Sequence, residues 1–175
     1  MYKFFRKTLT VLFAKLPLSI QDNFGSAGNH LRYGKVKGHE LVIGNNIWAA
    51  SQVIANQSGK FVYNNDGALT LCVDGTAQIF GWAQEYAHTP TVGDIVGVNI
   101  ALDAVYRIPI ISGTYVVGMM GDVTDLEVSS SIQGAKLDAS GENLVIIVGG
   151  DLVDNEWVDV KVNPVVQGAA VGSEA

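Results

Sequence analysis

Cysteine and charge are both scarce in this 175-residue sequence. Cys72 is the one cysteine, so the chain can form no intrachain disulfide and lacks the ligands of a cysteine–histidine zinc site. Charged residues make up 16% of the chain, below the roughly 25% that is usual for a soluble domain. So little charge favours a protein that buries part of its surface against copies of itself or against a partner.

Long hydrophobic runs are missing as well. No apolar stretch approaches the roughly 18 residues that a membrane-spanning helix needs, so we expect no membrane partner. The chain starts with basic residues and the apolar run 9–14, which is faintly similar to a secretory signal. Lys15 interrupts that run and no small-x-small cleavage pattern follows promptly, so we expect no cleaved signal.

The common catalytic motifs are also lacking. The sequence contains neither a Gly-x-Ser-x-Gly elbow nor the Gly-Lys-Ser/Thr of a phosphate loop. Cys72 lies in the apolar run 69–73, where it is expected to be a buried small side chain. Because no nucleophile, base and orienting group assemble from the sequence, we expect neither an enzyme nor a bound cofactor.

The net charge of −6 is unevenly distributed along the chain. Residues 1–40 carry seven basic and two acidic residues, a net charge of +5, and residues 41–175 carry four basic and fifteen acidic residues, a net charge of −11. The N-terminal segment should be attracted to an acidic surface, whereas the remainder should repel nucleic acid. We therefore expect no direct nucleic-acid partner.

Glycine is abundant, with 20 residues, and most of the chain alternates short apolar runs with turn residues. Asp66-Gly67 and Asp74-Gly75 separate apolar runs in the way of hairpin turns. Trp157–Val162 places apolar residues partly on a period of two. Further strands are predicted in several later segments: 94–100, 105–111, 113–119 and 143–148. This pattern predicts an all-β fold, a small barrel or sandwich of short strands with an N-terminal arm or short helix.

Three regions are predicted along the chain. Residues 1–40 form a basic N-terminal arm and a loop-rich connector, in which residues 2–16 are either a helix ended by Pro17 or an extended arm. Residues 41–165 form the β-rich body, which could be divided into two small lobes, 41–125 and 126–165. Residues 166–175 are small and predicted to be a flexible tail.

Two acidic segments, residues 121–127 and 150–156, share the pattern Gly-Asp-x-x-Asp-x-Glu. Calcium prefers several carboxylate and carbonyl oxygens, so this spacing offers weak candidate ligands, namely Asp122, Asp125, Asp151 and Asp154. The spacing does not match an EF-hand loop. The alternative is a pair of exposed turns that keep their carboxylates in water.

Residues 71–123 show a rhythm of small-residue strands and Gly-Asp turns. It runs from Gly81-Trp82-Ala83-Gln84 through Gly93-Asp94 and Arg107-Ile108-Pro109-Ile110 to Val117-Gly118-Met119-Met120. This stretch resembles the β-barrel type of phage capsid decoration (cement) protein. The resemblance covers about a third of the chain, and residues 1–40 and the acidic part after residue 125 depart from it. It implies a homotrimer on the virion, which binds the outer capsid surface and stabilises the shell by bridging neighbouring major capsid subunits.

The N-terminal arm mixes aromatic and basic side chains, which would suit an acidic or apolar groove of a shell. The candidate capsid-contact residues are Tyr2, Phe4, Phe5, Arg6, Lys7 and Phe13. Other virion components, such as a tail protein or head fibre, are a second hypothesis. A third is a secreted carbohydrate-binding or adhesin-like β module, in which Trp48, Trp82 and Trp157 would form a stacking platform.

Overall fold

The computed structural model describes residues 33–49, 53–55, 58–84, 89–138 and 141–168. These residues contain eleven β-strands and one short 3₁₀ helix, Val117–Met119. The strands are β1 (Gly34–Lys37), β2 (Val42–Ile47), β3 (Phe61–Asn65), β4 (Ala68–Leu71), β5 (Gly81–Ala83), β6 (Ile95–Asn99), β7 (Val105–Ser112), β8 (Val123–Ser129), β9 (Ile132–Lys136), β10 (Val145–Gly150) and β11 (Trp157–Val162). The all-β fold class predicted from the sequence is confirmed.

The first sheet has five strands in the order β2-β6-β5-β3-β4, and all its neighbours are antiparallel. A parallel bridge joins Trp48, directly after β2, to Leu69 in β4. The Ala49 backbone N–H also donates to the Leu69 carbonyl over 2.9 Å. These contacts bring the two end strands of the sheet together, so the sheet curves around the apolar side chains on one of its two sides.

The second sheet has six strands in the order β1-β7-β11-β10-β8-β9. Strand β7 is eight residues long and pairs with two different strands along one of its edges. Its first half pairs with β1, and its last residues, Ile110 and Ser112, pair in parallel with β9. The pairing of β7 with β9 closes a ring of strands, which leaves β1 as an addition outside it.

Two hydrophobic clusters match the two sheets. The smaller core is enclosed by the first sheet and contains nine buried residues: Trp48, Ile54, Val62, Leu69, Leu71, Phe80, Ala83, Val96 and Val98. The larger core unites apolar residues of the second sheet with side chains from the opposite side of the first. At that junction Phe61, Trp82 and Tyr106 form one aromatic group, in which Trp82 and Tyr106 stack with ring centroids 4.4 Å apart. The first sheet therefore has apolar contacts on both of its sides.

One predicted hairpin is present and another is absent. Strands β3 and β4 pair around Asp66-Gly67, both residues having positive φ (51° and 88°), as a type I′ turn requires. Gly75 also has positive φ, 86°, but β4 has already ended at Leu71, and β5 pairs with β3 and β6. Asp74-Gly75 is thus a turn between strands that do not pair with each other.

Two further elements differ from the sequence prediction. Strand β1 lies at the end of the segment predicted to be a connector, because β7 offers it a free edge. The predicted strand 113–119 contains the 3₁₀ helix instead. The lobe boundary predicted between residues 125 and 126 falls inside β8, whereas the five strands of the first sheet, β2 to β6, are consecutive in the chain. In the predicted tail, Gly168 still donates its N–H to the Ile79 carbonyl over 2.9 Å.

Candidate interaction surfaces

Cys72 lies in the larger core and is fully buried, as the apolar run around it predicts. Burial raises the pKa of its thiol well above the ordinary value. The sulfur is therefore protonated at neutral pH and shielded from reagents, so Cys72 acts as a core side chain and not as a nucleophile.

His39 is exposed and forms a pair with Asp103 across two loops. Its Nδ1 lies 2.5 Å from the Asp103 Oδ2, and its backbone N–H donates to the same oxygen over 3.2 Å. The hydrogen bond from the His39 side chain lowers the pKa of Asp103. Next to it, Gly38 (φ 95°) approaches so closely that a Cβ would lie 2.4 Å from the Asp103 carbonyl oxygen. The pair fastens the segment between β1 and β2 to the β6–β7 turn.

The candidate calcium ligands of the first acidic segment do not come together. Asp122 belongs to neither of the two acidic clusters among the described residues. Asp125 is buried, and its two carboxylate oxygens accept the backbone N–H groups of Gly141, Glu142 and Asn143 over 2.6 to 3.0 Å. Asp74 and Glu142 lie beside it. The Asp125 carboxylate thus holds the turn before β10 in place.

The second acidic segment is a capped turn on the surface. Asp151, Asp154 and Glu156 form one cluster. The Asp151 Oδ1 accepts the backbone N–H groups of Val153 and Asp154 over 3.0 and 3.2 Å. Aspartate commonly caps its own turn in this way, which accounts for the spacing without a metal ion.

The three tryptophans do not form the shared platform that a carbohydrate-binding module would need. Trp48 is fully buried in the smaller core, and Trp82 is buried in the aromatic group of the larger one. Trp157 lies on β11, where the Arg107 guanidinium covers its ring at 3.4 Å from the centroid. The carbohydrate-binding hypothesis therefore loses the feature on which it depended.

The predicted capsid-contact residues all belong to the N-terminal segment, which lies outside the residues that the structure describes. The hypothesis that they contact a shell stays a prediction. They are Tyr2, Phe4, Phe5, Arg6, Lys7 and Phe13.

A first apolar surface, which we call the strand face, lies on the side of β2 and β6 opposite the smaller core. Ile47 and Ile95 are cross-strand partners and therefore project to the same side. Val42 lies against Gly97, where a Cβ would be 3.0 Å from the Val42 Cγ1. The exposed fraction is 68% for Ile95 and 41% for both Ile47 and Val42. Three aliphatic side chains thus share one solvent-exposed face.

A second apolar surface, the loop surface, is built from the turns before β8 and after β10. Its aliphatic members are exposed: Val116, Val117, Met120, Leu152 and Val153. Asn155 joins the two turns, since it accepts the Tyr115 N–H over 2.7 Å and donates to the Gly113 carbonyl over 3.1 Å. The buried Tyr115 ring packs on Gly150, where a Cβ would lie 2.6 Å from it. The turns are therefore held together and present their aliphatic side chains outward.

The two surfaces differ in charge. The loop surface lies beside the acidic cluster formed by Asp151, Asp154 and Glu156. The strand face is different, because residues 41–59 and 95–102 contain no lysine, arginine, aspartate or glutamate. The loop surface suits a partner with apolar and basic groups, and the strand face suits an uncharged apolar one.

Neither surface was predicted from the sequence. The apolar run of β2 reads as a core strand, and only the pairing register shows that Val42 and Ile47 project away from the core. The lack of charge over residues 41–59 was the signal that could have identified the strand face.

Comparisons with known proteins give no relative. No protein-family model matches this sequence, and the searches of curated proteins and of solved structures found no match. Within the part of the chain that the structure describes, no helix has the length and apolar character needed to cross a membrane.

Proposed function

We propose that this protein is a structural virion component, which binds the outer surface of a phage-like capsid and stabilises the shell by bridging neighbouring major capsid subunits. The observation that carries the proposal is the presence of two separate exposed aliphatic surfaces on a β-rich body with few charged residues. Exposed apolar surface of this kind is typical of interaction sites. A bridging protein needs at least two such sites.

Several described residues are of types that could react or bind a metal. Their polar groups are instead hydrogen-bonded or buried within the fold, which supports a structural role. The Asp125 carboxylate and the Asp151 carboxylate both hold turns, and the Cys72 thiol is buried. The resemblance of residues 71–123 to the β-barrel type of capsid decoration protein points to the same role. Many copies on one lattice would each make modest contacts, which add up through avidity.

The basic N-terminal arm is proposed to supply the contact with the shell, and the self-associated β-rich body is proposed to span between subunits. Residues 1–32, which precede β1, carry a net charge of +4 against −10 for residues 33–175, so the arm is attracted to acidic surfaces that the body repels. A contact of this kind weakens as the salt concentration rises.

The test is co-sedimentation with empty shells assembled from the major capsid protein encoded in the same genome. Full-length protein should pellet with the shells at a fixed copy number and raise the temperature at which they dissociate. The charge reversals Arg6→Glu and Lys7→Glu should together weaken binding at least tenfold, whereas the matched reversal Lys161→Glu should leave it unchanged.

Two outcomes would count against this scheme in different ways. Absence of co-sedimentation by the full-length protein at low salt would overturn the capsid role. Unchanged binding after removal of residues 1–16 would overturn the role of the arm and transfer the shell contact to the β-rich body.

A further inference from the structure

The outer side of the first sheet changes character along its length. Toward the larger core, Trp82 and Asn99 are buried, and the Asn99 Nδ2 donates to the Tyr106 hydroxyl over 2.7 Å. Toward β2 the same side is the strand face, where Ile95 is 68% exposed. One continuous sheet surface is thus covered by the second sheet at one end and left in solvent at the other.

We propose that a second copy of this chain covers the strand face, so that Val42, Ile47 and Ile95 of neighbouring copies meet near the rotation axis of a closed oligomer. The inference rests on the proposed assembly role and names the surface through which copies associate. In a closed symmetric assembly, residues beside the axis meet their own counterparts.

Charge selects a second copy as the occupant. Residues 41–175 carry a net charge of −11, so the acidic parts of this region repel those of a second copy. Residues 41–59 and 95–102 contain no charged side chain, so this face can meet itself without opposing like charges. The neighbouring Asp94 carboxylate is directed to its own turn, where it accepts the Thr91 N–H over 2.7 Å. The acidic loop surface has no such self-complementarity.

Shape also suits a sheet-on-sheet contact. Gly97 has no side chain, so nothing projects from the sheet between Val42 and Ile95. A Cβ at this position would lie 3.0 Å from the Val42 Cγ1. Strand faces with small and aliphatic side chains pack on each other about 10 Å apart.

The first experiment measures the mass of the full-length protein by light scattering coupled to size exclusion. Wild type should have the mass of two or more chains of 18.6 kDa. The double variant Ile47→Lys/Ile95→Lys should have the mass of one chain. Val153→Lys is the matched control, because Val153 is 88% exposed in the loop surface. It should keep the wild-type mass. Circular dichroism and the urea midpoint verify that each variant is folded.

A second experiment detects the proposed contact by cross-linking and does not require a variant that breaks the oligomer. Cys72 is buried, so a cysteine introduced at the surface is the reactive thiol. A bismaleimide should link Ile95→Cys chains to each other at least tenfold faster than Val153→Cys chains at equal concentration. Equal rates for the two variants, or a wild-type mass of one chain at all concentrations tested, would overturn the inference.

Shell binding separates this inference from the proposed function. Single-chain wild type that still binds shells would overturn the strand-face contact and leave the capsid role standing. Oligomeric wild type that dissociates through Ile47→Lys/Ile95→Lys but does not bind shells would support the contact and overturn the capsid role.

Discussion

Gln133 of β9 binds both backbone polar groups of Phe61 in β3 and so ties one sheet to the other. Its Oε1 accepts the Phe61 N–H over 2.7 Å, and its Nε2 donates to the Phe61 carbonyl over 2.8 Å. The same Nε2 donates to the Cys72 carbonyl over 2.8 Å. Gln133 is fully buried, so the amide serves backbone groups that water does not reach.

Gln133→Leu should lower the free energy of unfolding by about 2 to 6 kcal/mol. The substitution keeps an apolar side chain of similar size but leaves the Phe61 N–H and the Cys72 carbonyl without this partner, and each such buried group costs about 1 to 3 kcal/mol. Urea unfolding followed by circular dichroism measures the change. Gln84→Ala, at an exposed position, should stay within about 0.5 kcal/mol of wild type. A similar effect of both substitutions would contradict the role of Gln133.

The β8–β9 hairpin should be stabilised by replacing its turn residues. Ser130 and Ser131 both have positive φ (50° and 66°), a conformation that asparagine and glycine adopt at lower cost. Ser130→Asn/Ser131→Gly should therefore raise the free energy of unfolding by about 0.5 to 1 kcal/mol, measured by the urea midpoint. Ser129→Gly, at the last residue of β8, is the control and should lower the free energy of unfolding. Loss of stability in the turn variant would disprove the type I′ geometry.

These two turns show how far the sequence predicts the fold. Asp66-Gly67 is a favoured type I′ pair, so the β3–β4 hairpin could be predicted. Ser130-Ser131 adopts the same geometry without those residue types, and the β8–β9 hairpin was missed. The all-β class could be predicted because many segments indicate it independently, whereas a single strand pairing depends on one turn.

The role of Asp125 and the two interaction surfaces could not be predicted, because both depend on contacts between distant parts of the chain. Asp125 reaches the backbone of residues 141–143, a contact made by folding and by no local spacing, so its carboxylate resembled a metal ligand. Val42 and Ile47 lie in an apolar run whose exposure depends on register and on a bulge between Ile43 and Asn46. Burial and exposure at these positions are tertiary properties.

Stability should fall in alkaline solution because two acids are buried in their neutral form. Burial raises the pKa of the Cys72 thiol and of the Tyr106 hydroxyl above their ordinary values of 9.0 and 10.0. Above pH 9.0 the unfolded chain releases a thiol proton that the folded chain keeps, so the free energy of unfolding decreases as pH rises. Each group contributes a slope of up to about 1.4 kcal/mol per pH unit.

Urea unfolding between pH 7 and pH 10.5 measures this loss, below the range in which Lys136, with its ordinary pKa of 10.5, contributes. The contribution of Cys72 is fully present below pH 9.0 and is lost as pH rises toward the folded value. Cys72→Ala removes the thiol. The free energy of unfolding of this variant should therefore fall less steeply between pH 9.0 and 10.0 than that of wild type. Equal slopes in the two proteins would exclude thiol ionisation as the cause.

Arg107 and Asp159 should be coupled more strongly than the exposed ion pairs of this protein. The Arg107 Nε and a terminal guanidinium nitrogen donate to the two carboxylate oxygens of Asp159 over 2.8 and 3.0 Å, while the guanidinium covers Trp157. The side chains are 28% and 17% exposed, so solvent screens them only in part. A double-mutant cycle with Arg107→Ala and Asp159→Ala should give a coupling energy of about 1 to 2 kcal/mol.

Lys136 and Asp74 provide the matched comparison, with one bond of 2.8 Å and a carboxylate side chain that is 56% exposed. Their coupling should be below about 1 kcal/mol, as for surface pairs in general. Arg107→Lys should lose most of the Arg107–Asp159 coupling, because an ammonium group can neither bind both carboxylate oxygens in a planar fork nor stack on the Trp157 ring. If lysine preserved the full coupling, charge alone would account for the interaction of residue 107 with Asp159, and the fork and the ring contact would be dispensable.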